Sequence, residues 1–147
     1  MRGYFGIGIY HPKTEENVGT LWRSAQMYGA AFTFTIGKRY RRQASDTLKT
    51  WRHIPLWHWA SYEDFYEHMP YNCRLVCCEL TEKAITLPYF SHPIRAVYLL
   101  GAEDHGIPPS LLEGQMQVQI PSAGPGSLNV AVAGSIVLYD RLVKGVL

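Results

Sequence analysis

The chain predicts an α/β domain with a mainly parallel sheet flanked by helices. Three observations carry that expectation. Short apolar runs of strand length alternate with helical patterns along the whole chain. Two of those runs end abruptly in Gly-rich loops, one containing Gly101 and Gly106, the other Gly124 and Gly126. The 147 residues are 47% apolar, enough to bury a core without disulfide or metal. No repeat, low-complexity stretch or linker interrupts the pattern, so residues 1–147 are expected to form a single domain.

Phe5 to Tyr10 has the first strand pattern, with Gly6 and Gly8 thinning one face, and His11 to Thr14 forms a loop. A helix is expected from Glu15 or Glu16, where acidic side chains suit the positive helix N-terminus. Its body places Val18, Leu21, Trp22 and Ala25 at helical spacing, and Gly29 stops it. Ala31 to Ile36 is the second strand, closed by Gly37. A short helix is expected over Asp46 to Trp51. The third strand, Ile54 to Trp59, belongs at an edge because Pro55 cannot donate to a central ladder. Ser61 caps a helix running to His68, with Asp64 as a weaker substitute for a capping-box glutamate. After the turn Pro70-Tyr71-Asn72 come strands at Arg74 to Glu79, Arg95 to Leu100 and Gln117 to Ile120. A short helix from Pro109 to Gly114 separates the last two. The final helix, Leu128 to Val143, is apolar on nearly every side, so it is buried in the domain or in a subunit interface.

The net charge of +2 creates no global basic field. Charge is uneven, however: Lys38-Arg39-Tyr40-Arg41-Arg42 is basic with an aromatic inside it, followed by Lys49, Arg52 and His53. Such interleaving suits phosphate contact and base stacking, and equally a solvated loop. Cys73, Cys77 and Cys78 form neither a disulfide framework nor a four-ligand zinc set, and they fall in or beside a strand, as expected of a reducing cytoplasm. The six histidines lack metal-ligand spacing, so no metal is expected. No secretory signal pattern opens the sequence and no run is long enough to span a bilayer. Trp51, Trp57 and Trp59 crowd beside the basic cluster, with core packing as the default and RNA stacking or dimer contact as alternatives.

Three motifs stand in order along the chain: Asn17-x-Gly19-x-x-x-Arg23, Leu100-Gly101-x-Glu103-x-x-Gly106, and Ile120-Pro121 with Ser127-Leu128-Asn129-Val130. Together they resemble the SpoU (TrmH-type) branch of the SPOUT methyltransferases, and the short length resembles the minimal TrmL-like members that methylate tRNA. The resemblance implies S-adenosylmethionine-dependent methylation of an RNA ribose 2′-hydroxyl, with tRNA favoured and rRNA possible as substrate. It also implies a C-terminal trefoil knot and a homodimer with active sites built across the interface. It places the cofactor on Cys78, Gly101, Ile120, Ser127 and Leu128, mostly through backbone groups. It assigns the chemistry to Arg23, Asn17, Glu103, Ser127 and Asn129, with Glu103 bracing the site by pairing with Arg23. Arg23, Lys38, Arg39, Arg41 and Arg42 are the expected RNA contacts.

Residue chemistry qualifies these roles. A guanidinium of pKa about 12.5 or higher is a poor base, so holding the ribose or stabilising a developing alkoxide asks less of Arg23 than accepting a proton. Asn17, Ser127 and Asn129 are also good helix caps. Glu79 resembles a glutamate of many relatives, without an assigned role. The chain has Lys13-Thr14-Glu15-Glu16 where the family often has proline before the motif-one asparagine, and Ala123-Gly124-Pro125-Gly126 where many relatives carry longer or charged side chains. Both departures bear on RNA choice rather than reaction type. The rival expectation is a dimeric RNA-binding protein of the same fold without activity. A generic nucleotide-binding domain is disfavoured, since neither G-x-x-x-x-G-K-[ST] nor a strand–G-x-G-x-x-G–helix unit occurs.

Overall fold

A computed structural model of the chain describes residues 3–40, 49–102 and 104–146. Among these residues, seven strands and four helices follow in the order β1 Tyr4–Tyr10, α1 Glu15–Met27, β2 Phe32–Ile36, β3 Leu56–Trp59, α2 Tyr62–Glu67, β4 Arg74–Cys78, β5 Ile85–Thr86, β6 Arg95–Gly101, α3 Pro109–Leu112, β7 Met116–Gln119 and α4 Val130–Val143. The strands form one sheet in the order β3-β2-β1-β6-β4-β7-β5, and every pairing is parallel. As expected, β3 is an edge strand, and it starts at Leu56, just after Pro55.

Side-chain alternation divides the core between the two sheet faces. Phe5, Ile7, Ile9, Val76, Tyr98, Leu100 and Val118 point toward α1 and α4. Phe32, Phe34, Ile36, Leu75, Cys77, Val97 and Leu99 point to the other face, beneath Phe65 of α2 and Leu112 of α3. Gly6 and Gly8 oppose Phe32 and Phe34 in register, and a Cβ on either glycine would run into the neighbouring ring. The missing side chains are therefore the space in which those two rings lie. Trp57 stacks on Phe32 with ring centroids 4.3 Å apart, and Trp59 stacks on His68 at 5.1 Å. Two of the three clustered tryptophans thus pack, whereas Trp51 is exposed beneath the Arg52 guanidinium.

Several boundaries differ from expectation for identifiable reasons. The cap of α1 is Thr14, whose extended backbone lets its Oγ1 accept from the Asn17 N–H at 3.3 Å. Asn17 is therefore inside the helix and is not its cap. Ser61 caps α2 by accepting from the Asp64 N–H, while the Asp64 carboxylate turns to His68 instead of closing a capping box. Asn129 caps α4, accepting from the amides of Ala131 and Val132. Ser127 is not that cap, and Leu128 lies before the helix. In place of a helix over Asp46 to Trp51, the described part holds a 3-10 turn at Thr50–Arg52, and residues 46–48 lie outside the described residues. The two-residue β5 and the 3-10 turn Leu87–Tyr89 carry too few residues to show a period.

The C-terminal half of α4 is fastened by a polar network through a buried interior. Arg141, 1% exposed, donates to the carbonyls of Pro93 and Ile94 and to the Tyr98 hydroxyl. Nδ1 of His92 lies 2.7 Å from the Tyr98 hydroxyl and Nε2 lies 2.8 Å from Asp140. With Tyr98 donating to Nδ1 and Nε2–H donating to the carboxylate, a neutral imidazole satisfies both partners. Lys144 completes the set by pairing with Asp140 at 2.7 Å and donating to the carbonyls of Leu87 and Phe90.

Candidate active site

The carboxyl ends of β1, β6, β4 and β7 lie side by side, so the loops that follow them converge at one edge of the sheet. Parallel sheets bind ligands there. A cavity open to solvent occupies this place. Its walls are Cys78 at the end of β4 with Glu79 and Leu80 after it, Leu100 and Gly101 at the end of β6 with Ala102 and Gly106 after it, Val118 and Gln119 of β7 with Ile120 after it, Gly126 to Leu128, and Val130 and Ala133 of α4. Cys78, Gly101, Ile120, Ser127 and Leu128 all line it.

The β6 loop doubles back on itself. Ala102 donates to the Tyr10 carbonyl, and Gly106 donates to the Ala102 carbonyl at 2.9 Å. A Cβ on Gly101 would meet the Gly106 carbonyl carbon at 2.5 Å and the Ile107 nitrogen at 2.6 Å. Only glycine lets the two arms of the loop close this tightly. Glu79 then holds the loop from below. Its Oε2 accepts from the Ile107 N–H at 2.8 Å and its Oε1 from the Leu80 N–H at 3.2 Å. Sequence patterns left Glu79 without a role; its signal was a polar residue directly after a buried strand, where the cavity opens. Burial, with the Glu79 charge adding to it, pushes the Cys77 thiol up to about 12. The Cys78 thiol also moves up, first through burial and then through Cys77 and Glu79. Cys78 is apolar wall material and Cys77 is core on the opposite sheet face, both unreactive as thiolates.

At the mouth, the Asn129 amide donates to the Asn17 side-chain oxygen at 2.9 Å. This single bond joins two motifs 112 positions apart, because α1 and α4 pack side by side on the same sheet face. Gly134 allows that approach: a Cβ there would meet Leu21 Cδ1 at 2.5 Å. Lys13, in the loop before α1, pairs with Asp104 of the β6 loop at 2.8 Å, and that bond holds the Asp104 carboxyl below its usual range. Lys38 donates to the Lys13 carbonyl at 3.0 Å, so the basic segment after β2 begins against the same loops. Lys38 and Arg39 are exposed; Arg41, Arg42 and Glu103 lie outside the described residues. Arg23 is exposed on α1 and does not line the cavity of its own chain. The expected pairing of Glu103 with Arg23 thus falls outside what the structure describes. His105 is a solvated loop residue.

Residues 5–139 match the SpoU rRNA Methylase family. The chain belongs to that family. A curated relative from Ancylobacter novellus, a tRNA (cytidine(34)-2'-O)-methyltransferase, is 30% identical over 92% of this chain and 90% of its own length. A solved structure from work on the 2-OH methylation of C/U34 on tRNA superposes with a TM-score of 0.82, at 26% identity over 97% of this chain and 98% of its own. An AdoMet-bound rRNA methyltransferase from Sinorhizobium meliloti shares the fold, with a TM-score of 0.85 at 23% identity, covering 99% of this chain and 58% of its own.

Proposed function

We propose that this SpoU family member methylates a ribose 2′-hydroxyl of RNA, with S-adenosylmethionine as donor and tRNA as the favoured substrate. The observation that carries it is the Asn17–Asn129 bond, which seats motif one at the mouth of a cavity walled by motifs two and three. The relative from Ancylobacter novellus supports the choice of tRNA. The residues present suit the donor: the walls are mostly backbone and apolar groups, and Gly101 leaves its loop no side chain to intrude.

When bound, S-adenosylmethionine supplies a methyl group activated by its sulfonium. Gly101, Ile120, Ser127, Leu128 and Cys78 would hold it, chiefly by close backbone approach. Asn17, Ser127 and Asn129 would orient the RNA sugar, and alignment of the reacting atoms supplies much of the rate. Arg23 would steady the oxygen as its proton passes to water, and Glu103 would brace the site. Lys38, Arg39, Arg41 and Arg42 grip the RNA backbone.

Because Arg23 does not line its own chain's cavity, it serves the cavity of a second copy in a homodimer. Support comes from an exposed apolar face on the α1/α4 layer, with Val132 46%, Tyr139 55% and Val143 58% exposed on α4. Their helical spacing puts the three on one face of α4. The trefoil knot is supported by the chain's route: after β7 it returns as α4 onto α1, while residues 87–94 are bonded across the far end of that helix. Free cysteines fit the cytoplasm, and the continuous sheet fits one domain.

The test is transfer of labelled methyl groups to total RNA, followed by mapping of the modified ribose. Label in tRNA, lost in Arg23→Ala while cofactor binding survives, is the expected result. Label in rRNA corrects the substrate. RNA binding without label or cofactor affinity overturns the activity in favour of a binding protein.

A further inference from the structure

The cavity wall carries one charged side chain among the described residues, Glu79. Both of its oxygens accept backbone amides, from Leu80 and Ile107, which is the acceptor-only pattern of an ionised carboxylate. No lysine, arginine or histidine among the described residues forms an ion pair with it. It is half-buried, and a carboxylate has about four lone-pair sites, of which two are filled here. Gly106 is shaped to receive it: φ there is +61°, and a Cβ would meet Glu79 Oε2 at 2.5 Å. The fold therefore brings a negative charge, without a cationic partner among the described residues, to a cavity otherwise walled by apolar and uncharged groups.

We propose that Glu79 is a cofactor-selecting residue: it clasps the 102–107 loop over the cavity and supplies the negative charge that favours the sulfonium donor over its thioether product. This rests on the function proposed above and goes beyond it. Donor and product share the adenosine and amino-acid ends and differ by a methyl group and one positive charge at sulfur. Apolar walls and backbone groups treat the two almost alike. A partly desolvated carboxylate does not, because its attraction for a cation is strengthened away from bulk water. The spent cofactor is then the weaker ligand and leaves.

Calorimetry with S-adenosylmethionine and S-adenosylhomocysteine, on wild type, Glu79→Gln and Glu79→Ala, separates the two duties. Wild type should prefer the donor. Glu79→Gln keeps an acceptor for the Ile107 amide and loses the charge. It should bind the product within about twofold of wild type while binding the donor about fivefold more weakly, compressing the preference. Glu79→Ala should weaken both ligands by about tenfold and speed hydrogen exchange at the Ile107 amide by a similar factor. A donor-to-product ratio unchanged in Glu79→Gln overturns the selecting role, and unchanged Ile107 exchange in Glu79→Ala overturns the clasp. Wild type that binds neither ligand overturns the proposed function itself, and this inference with it.

Discussion

Among the described residues, replacing Asn129 with alanine removes two contributions whose size the structure indicates. The first is the α4 cap, one oxygen accepting from Ala131 at 2.9 Å and Val132 at 3.2 Å. Losing such a cap costs about 0.5–2 kcal/mol. The second is the exposed bond to Asn17, worth on the order of 0.5 kcal/mol net. The sum, about 1–2.5 kcal/mol, lowers the melting temperature by roughly 2–10 °C at about 2–4 °C per kcal/mol. Asn17→Ala removes only the second contribution, and alanine's better helix propensity offsets much of it. Its melting temperature should stay within about 2 °C of wild type. On the proposed function, both variants should slow methyl transfer by about tenfold or more, because both release the pair proposed to orient the ribose. The double variant should show a coupling of about 0.5 kcal/mol in stability. Thermal unfolding and single-turnover transfer measure the two effects separately. The reasoning is refuted if Asn17→Ala melts as low as Asn129→Ala, or if either variant transfers methyl groups at the wild-type rate.

Further outcomes are expected elsewhere in the molecule. Gly101→Ala should weaken S-adenosylmethionine binding by about tenfold, since the new methyl group must push the Gly106–Ile107 backbone aside; calorimetry giving wild-type affinity would contradict the loop geometry. Burial holds the His92 imidazole below its usual value near 6.5, outweighing the opposite pull of Asp140. The unfolded chain therefore takes up more protons than the folded one near and below pH 6.5, so this contribution to stability is complete above that pH and is lost as the pH falls. Melting curves between pH 5 and 8 should show that slope reduced in His92→Gln, and parallel profiles for the two proteins would contradict it. If the α4 face is the seam of the proposed homodimer, Val132→Glu should shift sedimentation from dimer to monomer, with the melting curve otherwise retained.

The Gly-rich strand ends and the alternation of periods made the α/β layering legible, because each is a local pattern with one geometric meaning. The cavity-lining positions were legible through the joint motif. Helix starts were less so. Asn17 has the right chemistry for a cap, but Thr14 has the extended backbone that a cap needs, and the sequence does not display φ and ψ. The His92–Asp140 pair was invisible for another reason. It joins residues 48 positions apart, and nothing in either neighbourhood marks the partner. Glu79 escaped assignment because its partners are backbone amides, which every sequence offers everywhere. The tryptophans divided by position rather than type: alternation in β3 carries Trp57 and Trp59 to one sheet face, while Trp51 sits in a surface turn.

Helix α4 has 14 residues and so spans about 21 Å. Val130 and Ala133 near its start belong to the cofactor wall, whereas Arg141 and Lys144 at its finish grip carbonyls on the opposite margin of the sheet. A rod pinned so firmly at one tip transmits misalignment to the other. Damage to the remote anchor should surface as poor donor affinity before it surfaces as unfolding, and a screen for binding defects would recover substitutions that never touch the donor.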